Sequence, residues 1–84
     1  MRWIDIKKKY PDQFVLIDNV DEVLISETES KILGGNVIQT SNNLKEIMKS
    51  YQQNKKQGKN VIYALPSTPE DFIVENVAMM GILR

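Results

Sequence analysis

Three sets of residues in this chain could do chemistry, and each set implies a different kind. Asp18, Asp21, Glu22, Glu27 and Glu29 crowd into one stretch, as a calcium loop or a pair of hydrolytic carboxylates would require. An EF-hand loop needs glycine at its sixth position, and counted from Asp18 that position is Val23. Acid chemistry through Asp18 and Glu27 is the remaining use, but no motif fixes those two side chains on each other. The second set is Gly34 and Gly35 in "ILGGNVIQTSNNLKEIM". A Walker loop requires G-x-x-x-x-G-K-[ST], and a dinucleotide loop requires G-x-G-x-x-G opening a helix directly after a strand. Here the glycines precede a strand, so a bulge or turn is expected of them. The third set is Lys45, Lys49 and Lys56, which with Gln52 form one polar stripe able to follow a phosphate backbone.

Composition narrows these options. The chain has no Cys and no His, which removes thiolate nucleophiles, Ser-His and Cys-His pairs, disulfides and the commonest metal ligands. Eleven basic and eleven acidic residues cancel, unlike the basic surface of a protein that wraps nucleic acid. Nine Lys and two Arg are also a poor mix for bidentate phosphate recognition. No catalytic residue, cofactor site or metal site is therefore expected, and nucleic acid is not the expected partner. The charged start "MRWIDIKKKY" and the lack of a long apolar run point to a cytoplasmic protein that neither carries a signal peptide nor spans a membrane.

The elements that would position these residues can be read in order. Trp3, Ile6 and Tyr10 share one helical face, and Pro11 pushes Tyr10 out of the helical region. This predicts a short N-terminal helix anchored by Trp3 and Tyr10, with Lys7, Lys8 and Lys9 solvated. "FVLID", residues 14–18, is an unbroken apolar run suited to a buried strand, and "EVLIS", residues 22–26, reads as a second strand after a turn at 19–21. Lys31, Leu33, Asn36, Ile38 and Thr40 cannot all share one strand face, so an extra residue near Gly34 and Gly35 is required. Leu44, Ile47, Met48 and Tyr51 form the apolar stripe of a helix. Asn43 with Glu46 resembles a capping box, Lys55 and Lys56 lie in the last turn, and Gly58 is placed for a left-handed C-terminal cap. Both Leu44→Ala and Ile47→Ala should then cost roughly 2 to 5 kcal/mol. "NVIYALP", residues 60–66, is the strand that this helix feeds, making a strand-helix-strand crossover over 36–65.

The sum is a single small α+β domain over 1–84. It has a short N-terminal helix, antiparallel strands, one amphipathic helix packed on the sheet and a further C-terminal strand. A chain of this size buries only about 60–65% of its unfolded surface, so its stability should be roughly 4 to 12 kcal/mol. Against that margin, residues 67–84 carry an unusual load: Phe72, Val74, Val77, Met79, Met80, Ile82 and Leu83 are too apolar to leave in water. Either the segment adds a strand to its own sheet, or it acts as an interaction or oligomerisation arm on a second chain. Paired methionines suit an adaptable contact, which favours contact through 72–83 with a second copy, as a homodimer, or with another protein.

Trp3, the pair Tyr10-Pro11, "QFVLID", a glycine-preceded strand ending "TSNNLKEI", and "GKNVIYALP" together resemble a set of small uncharacterised prokaryotic α+β proteins. Some of these are encoded beside a retropepsin-like aspartic protease. In outline the element order is also similar to HicB-type antitoxins. The first resemblance implies a companion of another gene product, and the second a regulator that binds a small toxin. Neither supplies catalytic residues. The expected function is therefore a non-catalytic protein-binding module. Its alternative is an antitoxin-like or nucleic-acid-binding regulator working through Lys45, Lys49 and Lys56.

Overall fold

The computed structural model describes residues 1–75. Helix α1 spans Trp3–Lys9, strand β1 Phe14–Leu24, strand β2 Glu29–Ser41, helix α2 Leu44–Lys56, strand β3 Val61–Ala64 and strand β4 Ile73–Glu75. The strands form one antiparallel sheet in the order β3-β1-β2-β4. Because β2 and β3 both run antiparallel to β1, they are parallel to each other, and α2 carries the chain across β1 between them. This is the crossover expected over 36–65, with β1 inserted in its middle.

The unbroken apolar run in β1 has a direct cause: the strand is covered on both faces. Val15 and Ile17 pack with Trp3, Ile6, Ile32, Ala64 and Phe72 on one side. Leu16 packs with Ile47 and Val61 on the other, with Phe14, Tyr51 and Tyr63 around them. In β3 the alternation is regular, with Val61 and Tyr63 toward α2 and Ile62 and Ala64 toward α1.

"EVLIS" is not a second strand. Residues 14–24 form one strand that bulges where Asp18 pairs with Asn36 and Asp21 with Gly34. Asn19 takes φ 47° there, a left-handed conformation that Asn tolerates better than most residues. The true reversal lies at 25–28, where the Ile25 amide donates to the Glu29 carbonyl (3.0 Å) and the Ser26 hydroxyl accepts from the Thr28 amide (3.3 Å). The extra residue expected near the glycines is present: Leu33 is left over between the pairs Asp21–Gly34 and Glu22–Ile32. It offsets the β1 bulge, so Ile32 and Val37 can both face the core despite their odd spacing. Gly34 and Gly35 lie inside β2 rather than before a strand. Gly34 has a steric reason to be glycine, because Arg2 bridges to it and a Cβ there would land on the Met1 carbonyl oxygen.

Helix α2 starts and stops as its sequence requires, with one rearrangement. Asn43 Oδ1 accepts from the Lys45 amide (2.9 Å). Glu46 does not reach back to the cap amide. The Ser41 hydroxyl accepts from the Asn43 amide (2.9 Å) and donates to the Glu46 carboxylate (2.8 Å), so serine relays the contact. At the other end the Lys59 amide donates to the Asn54 carbonyl (3.1 Å) and the Gly58 amide to the Lys55 carbonyl (3.0 Å). That pair is the Schellman arrangement, with Gly58 at φ +80°. The helix sits more lightly on the sheet than its stripe implies. Ile47 is fully buried, but Leu44 is 40% exposed because it lies beyond the sheet's cover. Lys7 departs from the solvated run as well, donating to the Thr68 carbonyl (2.6 Å).

Two stability measurements follow. In urea unfolding, Ile47→Ala should cost roughly 2 to 5 kcal/mol, whereas Leu44→Ala should cost less than about 1; equal losses would contradict this placement of the helix. A Cβ at Gly58 meets nothing within 4 Å, so Gly58→Ala isolates the backbone term. It should cost about 1 kcal/mol, and an unchanged melting temperature would mean the cap is formed otherwise.

Candidate functional site

The connection from β3 to β4 creates the most distinctive surface of the molecule. In a flat sheet these strands would stand three strand spacings apart, about 14 Å. Yet residues of both line one groove of about 530 Å³, so the sheet curls and brings its outer strands toward each other. Three sheet bulges, at Asn19–Val20, Leu33 and Ile38, supply the local bending and twist that a curl needs.

The loop across the curl is held at several points. Trp3 Nε1 donates to the Pro69 carbonyl (2.9 Å), and the Trp3 ring meets Phe72 at 5.0 Å between centroids with the planes tilted by 58°. The Thr68 amide donates to the Leu65 carbonyl (3.0 Å), and the Leu65 amide donates to Thr68 Oγ1 (2.9 Å). The Ile32 amide donates to the Phe72 carbonyl (2.7 Å), and Lys31 pairs with Asp71 at 3.4 Å. Pro66 and Pro69 therefore shape a fixed strap between the two sheet margins.

Ile62, Leu65, Phe72 and Val74 form an apolar part of the groove lining, while Glu22, Lys55, Asn60, Thr68 and Glu75 form a polar part and Tyr51 and Tyr63 line it as well. Its margins carry backbone groups with no strand partner. β3 pairs with β1 only from Val15 to Asp18, so among the described residues β1 has no strand on that side from Asn19 to Leu24. Among the described residues β4 is paired only with β2, over Ile73–Glu75. An unpaired edge over an apolar floor recognises extended chain: backbone bonds supply affinity, and alternate side chains enter the floor.

The sequence candidates fall as follows. Phe72 is only 8% exposed and belongs to the core cluster with Trp3, while it also lines the groove. Val74 is half-buried and lines the groove. Val77, Met79, Met80, Ile82 and Leu83 lie outside the described residues. β4 shows that the segment begins by joining its own sheet, one of the two outcomes left open. Asp18 and Glu27 are not brought together: Asp18 pairs in mid-strand with Asn36 and Val61, while Glu27 sits in the hairpin turn about 20 Å further along at 3.3 Å per residue. Carboxylates that cooperate in hydrolysis stand within roughly 10 Å. Among the described residues no three His, Cys, Asp or Glu gather as a metal site, and no helix is long and apolar enough to cross a membrane.

Lys45, Lys49 and Lys56 are exposed along α2. Beside them Lys55 Nζ lies 5.7 Å from the centre of the Tyr51 ring. A second surface was not foreseen. Val23, Lys31 and Ile73 stand in one cross-strand row, and Val23, Ile25, Leu33 and Ile73 are all exposed. The row joins residues far apart in sequence, and only the strand register brings them together.

Compared with known proteins, the chain matches no family model, no curated protein and no solved structure.

The lysine face can be tested directly. With zero net charge, the protein should pass through heparin at about 0.15 M salt. Salt-dependent retention that disappears in a Lys45→Glu, Lys49→Glu, Lys56→Glu variant would instead place a polyanion interface on α2.

Proposed function

We propose that this chain is a non-catalytic protein-binding module, a cytoplasmic prokaryotic companion of another gene product, which takes an extended apolar segment of its partner into the groove between β3 and β4. The observation that carries this reading is the partly apolar groove bordered by strand edges that have no strand partner among the described residues. Val74 and the margin of Phe72 belong to the groove, and Val77, Met79, Met80, Ile82 and Leu83 are taken as further contact residues. These residues together form the contact surface. Val23, Ile25, Leu33 and Ile73 add further exposed apolar area, as expected of a surface that meets another protein.

The test is light scattering on the full chain, alone and mixed with the product of the adjacent gene. A one-to-one rise in mass is expected, and Leu65→Arg, which puts a charge on the groove floor, should abolish it. A complex unaffected by Leu65→Arg, or no complex at all, would remove the groove as the binding site.

A further inference from the structure

Pro66 and Pro69 take two amide donors out of the strap between β3 and β4, so its carbonyl groups are satisfied from another element. That element is α1. The Trp3 indole donates to the Pro69 carbonyl (2.9 Å), and the Lys7 ammonium donates to the Thr68 carbonyl (2.6 Å). Residues 3 and 7 share one face of α1, so the helix grips two successive residues of the strap. The two grips differ in kind. Trp3 is 4% exposed and belongs to the core, whereas Lys7 is half-buried, beside the exposed Lys8 and Lys9. Among the described residues no carboxylate lies within ion-pair distance of Lys7, which leaves the Thr68 carbonyl as the acceptor that orders its side chain.

What Lys7 holds is part of the groove wall. The Leu65 amide donates to Thr68 Oγ1 (2.9 Å) and the Thr68 amide to the Leu65 carbonyl (3.0 Å), so these two residues form one closed turn. Both line the groove, and Lys7 does not. We propose that Lys7 is a positioning residue for the groove: its bond to the Thr68 carbonyl fixes where the turn of Leu65 and Thr68 stands, and through that turn how the groove receives a partner. This rests on the reading of the groove as a binding site and adds a control point for it on α1. A charged donor makes a stronger bond than a neutral one, and at this partly exposed place its removal hands the carbonyl to water and leaves the core closed.

The experiment compares Lys7→Met, which keeps the apolar stem and has no donor, with Lys7→Arg, which keeps a cationic donor. In the full chain alone, the Leu65 and Thr68 amides should exchange with solvent on the order of tenfold faster in Lys7→Met than in the unaltered protein. Lys7→Arg should restore the original rates, and the β1 amides of Val15–Ile17 should not change in either variant. Equal rates in Lys7→Met, or an acceleration that reaches the β1 amides as well, would overturn the proposal. In complex with the adjacent gene product, Lys7→Met should dissociate about tenfold faster and Lys7→Arg at the original rate; a complex of unchanged lifetime despite the looser turn would also overturn it. Faster exchange in Lys7→Met together with no complex of the unaltered chain would leave the clamp standing and sink only the binding function.

Discussion

Burial of both faces of β1 is the constraint on which the rest of this fold depends. Val15 and Ile17 need α1 and the curl of the sheet, whereas Leu16 needs α2 and β3. Neither cluster is large, and each is organised around alternate residues of β1. A domain of this size has little stability to spare, so α1 and α2 are coupled through a single strand although they lie on opposite sides of it. The hydrogen bond from Trp3 to Pro69 and the contact of Trp3 with Phe72 extend that coupling to the strap between β3 and β4. The groove is therefore positioned by the core itself.

Curvature links this core to the site. A flat four-stranded sheet would leave β3 and β4 as remote edges, each exposed separately. The paired bulges at Asn19–Val20 and Leu33 cancel in register, which lets the hairpin bend while its core-facing residues stay in place. The bend turns two remote edges into opposite walls of one groove. Gly34 serves the same region in another way, since the absence of a side chain lets Met1 and Arg2 lie against β2.

Much of the architecture was legible in the sequence, because its local signals agree with the tertiary structure. The stop of α1 before Pro11, the Asn43 cap, the Gly58 cap and the need for an extra residue near Gly34 are each decided within a few residues. The failures share a cause. Leu44 belongs to the helical stripe, but its burial depends on how far the sheet extends beneath it. "EVLIS" has the composition of a separate strand, yet Asn19 takes up the irregularity without reversing the chain. The groove and the row of Val23, Lys31 and Ile73 depend on register and curl, which arise from pairings between residues as far apart as Lys31 and Ile73. Phe72 illustrates the limit most clearly, since an apolar residue near a terminus reads the same whether it faces a partner or, as here, the Trp3 ring.

The composition of the groove limits what it can select. Main-chain edges accept any extended segment, so affinity from backbone bonds carries no sequence preference of its own. Discrimination has to come from the floor and the rim. The floor of Ile62, Leu65 and Val74 favours apolar side chains at alternate positions. Glu22 and Glu75 would oppose a carboxylate brought beside them, through lost hydration and like charge, whereas Lys55 in the same lining would favour one. On the proposed reading, the partner segment would alternate apolar residues and lack proline where an amide must pair.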